Sequence, residues 1–292
     1  MKIVCFDEHR VGVLADGIVH DVSALLDERW RGTPYAPNEL IARWDELCEE
    51  VGDVAASPAS AVALNDVRLL APVPRPRQLL AAPLNYHPHV AEMAVSRHAP
   101  DAFATDQSPL SLGFFVKASG SICGPQDAIE LPPLEGRAFH HEVELGVVIG
   151  RAARGLRPEQ VREHVFGYVC LLDITLRTEG AHQEERPLRK SFETFTPIGP
   201  AITTADEVPD PGCLELRLWV NGELRQSATT ADLIVGVDEL IAQASNVMTL
   251  HPGDVYATGT PEGVGPIVPG DVVRATVEGV GELELPVRRR DW

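Results

Sequence analysis

His140-His141-Glu142-Val143-Glu144-Leu145-Gly146-Val147-Val148-Ile149-Gly150 decides how the chain is read. The apolar run predicts a buried strand with acid at its entrance. Side chains alternate faces along a strand, so Glu142 and Glu144 share one face while Val143 and Leu145 turn to the other, into a core. Two converging carboxylates repel, and one is driven toward protonation unless a cation lies between them. A hard divalent metal answers that repulsion. Further on, Gly167-Tyr168-Val169-Cys170-Leu171-Leu172-Asp173-Ile174-Thr175 repeats the pattern, an apolar run ending in one acid, and Asp173 is the expected third oxygen ligand. Taken alone, Glu-x-Glu also fits the solvated face of an amphipathic strand. His140 falls on the same predicted face as the two glutamates and would favour zinc if it joined them.

The chain has 292 residues, enough for a substantial core and for one or two domains. A net charge of -18 argues against nucleic acid and an anionic membrane surface as partners, since both would repel it. An anionic ligand therefore needs local cations. Of 25 basic residues only Lys2, Lys117 and Lys190 are lysine, so a lysine at 117 or 190 is a departure from the chain's general use of arginine. The five cysteines are scattered, with no C-x-x-C pair for zinc or redox chemistry. No signal-peptide pattern and no transmembrane-length apolar run is visible, and a soluble cytoplasmic protein is expected.

Residues 1–70 read as a small accessory α/β unit. Short strands around Ile3, Val13 and Val19 precede a helix over 38–51, with Asn38 as its N-cap and Leu40, Ile41, Trp44 and Leu47 on one face. The proline-rich segment 71–77 predicts an extended link to a second unit, 71–292. There Pro88 suits the first turn of a helix on which His89 and Glu92, three apart, share a face; the carboxylate can orient the imidazole. A surface ion pair has the same spacing. Residues 96–112 form an irregular stretch beside that pair and suggest a lid. Asn221-Gly222 predicts a tight hairpin turn, and the segment 258–265 a Gly-rich loop that lets backbone amides and the Thr260 hydroxyl approach a ligand.

Together these stretches resemble the fumarylacetoacetate hydrolase family from about Pro72 onward. The resemblance rests on Asn85-Tyr86 with His89 and Glu92, Lys117 before Ser119, Glu142-Val143-Glu144, Gly167-Tyr168 through Asp173, and Lys190-Ser191-Phe192. It continues through Pro197-Ile198-Gly199-Pro200, Asn221-Gly222 with Arg225-Gln226, Pro252-Gly253-Asp254 and Thr258-Gly259-Thr260-Pro261. It implies an α+β, mainly β fold, a mixed β-roll or sandwich with flanking helices, and a homodimer. It also implies Mg²⁺, or Mn²⁺ or Ca²⁺, on Glu142, Glu144 and Asp173, with His89 and Glu92 activating water and Lys190 beside the substrate. Tyr86, Lys117, Arg177 and Thr260 are the expected substrate-side residues. The chain departs from the family pattern at Leu172, where relatives often have Asn, and at Glu179-Gly180, where many place Gln.

Three carboxylates and a divalent metal sum to one negative charge, which Lys190, with Arg177 or Lys117, would offset for an anionic ligand. The expected substrate is a small oxo-acid or 1,3-diketone cleaved at a C–C bond through an enolate. Isomerisation of a carboxymethyl-hydroxymuconate and decarboxylation of a 2-oxo diacid such as oxaloacetate pass through a similar enolate, and a metal-binding protein without catalysis is the competing class.

Overall fold

The computed structural model describes residues 1–96, 106–178 and 184–291. Alternating apolar residues are resolved into three sheets. The largest runs in the order Ala61–Ala63, Ile18–Asp21, Arg10–Ala15, Lys2–Phe6, Thr196–Thr204, Val165–Leu172, Val143–Ile149, Val255–Ala257, Leu79–Ala81, Phe115–Lys117, with two short strands off this path. A five-stranded sheet orders Glu223–Thr229, Glu215–Val220, Val272–Val277, Gly281–Arg289 and Ile129–Leu131. Its inward residues Leu216, Leu218, Ala275 and Leu283 meet Leu145, Val147 and Cys170 of the large sheet in one core. The other face of the large sheet, with Val148, Val169 and Leu171, is covered by Leu40, Ile41, Leu47 and Val51. This is the mainly β, α+β sandwich that the family resemblance implies.

The N-terminal strands are continuous with this architecture: Lys2 and Ile3 lie opposite Thr203 and Ile202, and Ala71 and Val73 are buried where the proline-rich segment passes. The single helix expected over 38–51 is two, Ala36–Ala42 and Trp44–Ala55, broken at Arg43, whose φ of -106° and ψ of 15° leave the helical region. Asn38 lies inside the first helix, which Tyr35 caps and Pro37 opens, because proline suits a helix's first turn better than its interior. Trp44 starts the second and stacks edge-on against Phe166 at 5.1 Å. No helix among the described residues is long and apolar enough to cross a membrane.

The decisive stretch is also two strands. Val143–Ile149 pairs with Val165–Leu172, Val143 opposite Leu172, and Phe139–His141 continues the same antiparallel register, His140 opposite Thr175. Between them the ladder opens at Glu142 and Asp173, which remain tied by the bond from Asp173 N to the Glu142 carbonyl at 2.9 Å. Beyond that opening, Gly265–Ile267 takes the other edge of Phe139–His141 in a separate three-stranded sheet. An antiparallel register thus sets Glu142 against Asp173, and the alternation of the strand adds Glu144.

Candidate active site

Glu142, Glu144 and Asp173 each offer a carboxylate oxygen within 4.8 Å of the others, and all three are buried, at 3%, 2% and 0% exposure. A solvated strand face is excluded by that burial. His140 is not part of the group, which among the described residues is all oxygen. Cations surround it unevenly. Arg177 Nη2 donates to Glu142 Oε1 at 2.6 Å and Lys190 Nζ to Glu142 Oε2 at 2.7 Å; Lys190 and Lys117 both donate to Asp173. Burial opposes charge on Glu142, but Lys190 and Arg177 outweigh it and hold the carboxyl well below its usual range. Glu144 has no basic side chain at ion-pair distance among the described residues. Its Oε2 accepts Gly259 N at 2.6 Å, and burial, followed by the charges of Asp173 and Glu142, raises its carboxyl well above the ordinary value. A buried carboxylate facing two others without its own cation, in an oxygen-only set, fits a hard divalent metal.

The third carboxylate, Glu144, is placed by backbone that the sequence fixes locally. Gly259 has φ of 102°, where a Cβ would stand 2.7 Å from the Asn85 Cβ, and this conformation aims its amide at Glu144. Asn85 holds the same loop, donating to the Thr258 carbonyl at 2.8 Å and exchanging bonds with Val235. The neighbouring Tyr86 caps the helix His87–Ala94, opened by Pro88 as expected. On it His89 is buried, and its Nδ1 meets Glu92 Oε2 at 3.0 Å. Glu92 Oε1 accepts Gly263 N at 3.1 Å, which anchors the pair to the Gly-rich loop rather than leaving it on the surface.

A cavity of about 150 Å³ joins these groups: Glu142, Glu144, His89, Lys190, Arg177 and Thr260 all line it. Lys117 and Tyr86 do not. Lys117 is 1% exposed, bonded to Asp173 and the Phe195 carbonyl, and Tyr86 is wholly buried with a hydroxyl that has no hydrogen-bond partner among the described residues. Burial lowers the Lys117 ammonium's proton affinity and raises the Tyr86 phenol's. Lys190 follows a short helix, Arg186–Arg189. Of the expected lid, residues 97–105 lie outside the described residues, as do Glu179 and Gly180; 109–112 form one helical turn, Pro109–Leu112.

Gln226 belongs to the site and had no assigned role in the sequence. Its Oε1 accepts Val143 N at 3.1 Å, between the two glutamates, and lies 3.3 Å from His141 Nδ1; its Nε2 donates to Thr260 Oγ1 at 2.9 Å and the Pro261 carbonyl at 2.8 Å. Burial drops His141 to about 4, so the ring is neutral near pH 7 and can donate to that amide oxygen. The available signal was an amide at the inward position of Glu223–Thr229, flanked by exposed residues.

The family model for the fumarylacetoacetate (FAA) hydrolase C-terminal domain matches residues 78–288. The maleylpyruvate hydrolase of Aquipseudomonas alcaligenes is 41% identical over 99% of both chains. The crystal structure of maleylpyruvate hydrolase from Sphingobium sp. SYK-6 in complex with manganese(II) ion and pyruvate superposes with a TM-score of 0.84 at 39% identity, covering all of both chains. The mitochondrial oxaloacetate tautomerase of Xenopus laevis is 35% identical over 87% of this chain and 79% of that protein. With the three carboxylates, the His-Glu helix and the Gly-rich loop joined on one sandwich, and a family match over most of its length, the chain belongs to the fumarylacetoacetate hydrolase family.

Proposed function

We propose that this protein is a divalent-metal-dependent hydrolase that cleaves the C–C bond of an acylpyruvate or related 1,3-dicarbonyl compound. The observation that carries the proposal is one cavity lined by both Glu142 and Glu144 of the carboxylate group and by His89, anchored through Glu92. The likeness to two maleylpyruvate hydrolases supports it. Glu142, Glu144 and Asp173 would hold the metal, and their oxygen-only chemistry supports Mg²⁺, or Mn²⁺ or Ca²⁺, over zinc. When bound, the ion supplies Lewis-acid polarisation of the 2-oxo acid and positive charge against an enolate.

The chain's own groups do the rest. With Nδ1–H donated to Glu92, the His89 Nε2 lone pair is free to take a proton from water as its oxygen attacks the acyl carbonyl. The bond from the acyl carbon to the pyruvyl methylene then breaks; its electron pair passes into the enolate of pyruvate, and the acyl group leaves as a carboxylic acid. Lys190 faces the cavity as a compact cation beside the enolate oxygen, and the proton held on His89 returns to the methylene carbon. Thr260 accepts from Gln226, so its own hydroxyl hydrogen is available to the substrate. Arg177 contacts the substrate side while steadying Glu142; Lys117 and Tyr86 act from behind the carboxylates. Residues 1–70 serve as an accessory unit to 71–292, and the homodimer and cytoplasmic location belong to the same proposal, supported by the family resemblance and the free cysteines.

A tautomerase or isomerase reading draws on the same His-Glu pair moving a proton at carbon, and is supported by the Xenopus relative. Turnover across acylpyruvates, 1,3-diketones and oxaloacetate, with Mg²⁺ or Mn²⁺ added, tests the choice. Hydrolysis of acylpyruvates that stops on chelation is the expected result; enol–keto exchange of oxaloacetate with no hydrolysis of any panel member would replace it.

A further inference from the structure

The Gln226 amide stands between the acidic strand and the Gly-rich loop, and the backbone on each side decides which of its ends is oxygen. Val143 N can only donate, so the atom 3.1 Å from it is Oε1; the carbonyls of Pro261, at 2.8 Å, and Glu262, at 3.4 Å, can only accept, so the opposite atom is Nε2. One Nε2 hydrogen goes to this pair of carbonyls, and the other goes to Thr260 Oγ1 at 2.9 Å. The Thr260 oxygen therefore accepts, and it cannot turn its own hydrogen back onto Gln226. Among the described residues that hydrogen has no acceptor, while Thr260 lines the cavity.

Two further contacts hold the amide in this sense. His141 is buried, and its Nδ1 lies 3.3 Å from Oε1, a second donor to the oxygen end when the ring carries its hydrogen there. The preceding residue, Arg225, presents its carbonyl to Gly263, where φ is 90° and a Cβ would stand 2.0 Å from that oxygen, so strand and loop are in direct contact. The same loop reaches Glu144 through Gly259 N and Glu92 through Gly263 N. A shift of the whole loop would thus disturb the carboxylate group and the His-Glu pair together, whereas losing the Gln226 amide with the loop in place alters Thr260 alone.

We propose that Gln226, backed by His141, is a positioning residue that commits the Thr260 hydroxyl to donate into the cavity, so that Thr260 receives a ligand oxygen carrying no hydrogen: a carboxylate, carbonyl or enolate oxygen. This rests on the 2-oxo-acid reading of the cavity given above. An oxygen that gains negative charge strengthens such a bond, and a donor already oriented needs no reorganisation.

The test is a double-mutant cycle on the full Mg²⁺-loaded chain with oxalate, which presents the planar oxygens of a 2-oxo-acid enolate and is not cleaved. By calorimetry, T260V and Q226L should each weaken oxalate about tenfold, the scale of one hydrogen bond to a charged group, and the double mutant should bind it no more weakly than T260V. Mg²⁺ affinity should match wild type in all three, which a displaced loop would not allow. If Q226L does not fold, Q226N, which keeps the amide and is too short to span Val143 and Pro261, takes its place in the cycle. Absence of oxalate binding by wild type, affinity unchanged in either single mutant, losses that multiply in the double mutant, or Mg²⁺ affinity that falls along with oxalate would overturn the assignment. Failure of the hydrolase reading looks different: the oxalate cycle comes out as expected, yet no acylpyruvate is turned over.

Discussion

Glu144 is the residue on which the proposed metal site turns, because its two fellow carboxylates have lysine or arginine partners and, among the described residues, its hydrogen-bond partner is the Gly259 amide. Glu144→Gln preserves an amide oxygen for that bond and removes the charge. We expect divalent-metal affinity, measured by calorimetry, to fall by more than the roughly 10- to 100-fold typical of losing an outer partner, with the fold retained. Unchanged affinity would show that Glu142 and Asp173 suffice. Lys190 makes a different demand. Its ammonium fits between Glu142 and Asp173, where a planar guanidinium needs more room and other angles. Lys190→Arg should therefore lower acylpyruvate turnover about 100-fold or more; steady-state rates close to wild type would mean the position supplies net charge alone.

At the scale of elements, the helix His87–Ala94 and the hairpin strand Glu223–Thr229 do separate work. In the proposed reaction the helix brings the base. His89→Ala and Glu92→Ala should each reduce acylpyruvate hydrolysis by about 100-fold or more while metal binding persists, since only hydrolysis needs a base to generate attacking water. Any decarboxylation of oxaloacetate, which depends mainly on the metal and an oriented carboxylate, should fall much less. Substrate-analogue affinity measured alongside separates a lost base from a displaced helix; both mutants binding normally and hydrolysing at wild-type rates would reduce the pair to a structural contact. The strand brings Gln226, whose amide links the five-stranded sheet to Val143 of the large sheet and to the Thr260 loop. Gln226→Leu strands Val143 N and the Pro261 carbonyl in the interior, each at about 1–3 kcal/mol. Urea unfolding should show a loss of that order, and no loss would mean that water replaces the amide.

The same two elements show what the sequence could carry. Spacing of three on a proline-opened turn made the His-Glu helix legible, and alternation made the acidic strand legible, because both are local relations. Opposition of Glu142 to Asp173 depends on strand register, and Gln226 reaches Val143 across the gap between two sheets; neither has a local period. The break at Arg43 and the opening of the ladder at Glu142 escaped for a related reason, since neither interrupts the local period of apolar residues. Lys117 and Arg177 could be singled out by composition and charge, but not their attachment to Asp173 and Glu142.

For the molecule as a whole, the three carboxylates are a concentration of like charge in the interior of the sandwich. Glu144 lies in Val143–Ile149, and Glu142 and Asp173 directly flank that strand and Val165–Leu172, so their repulsion acts at the end of the ladder that joins the two strands. Lys190 and Lys117 relieve Asp173 and Lys190 and Arg177 relieve Glu142 by direct contact, whereas Glu144 has no direct ion pair among the described residues and feels Lys190 only at a distance. A divalent ion that binds the folded chain and not the unfolded one stabilises it by about 2.7 kcal/mol at a hundred times its dissociation constant. For a chain of 292 residues, with an unfolding entropy of about 2.1 cal/mol/K per residue, the corresponding rise in melting temperature is about 4–5 °C. Mg²⁺ or Mn²⁺ should produce that rise over a chelated sample at equal ionic strength, and the rise should be absent in Glu144→Gln. The control matters because a net charge of -18 lets any cation stabilise the protein by screening. A rise of equal size in wild type and Glu144→Gln would therefore assign the effect to the surface, and remove thermal stabilisation from the case for a metal held by the three carboxylates.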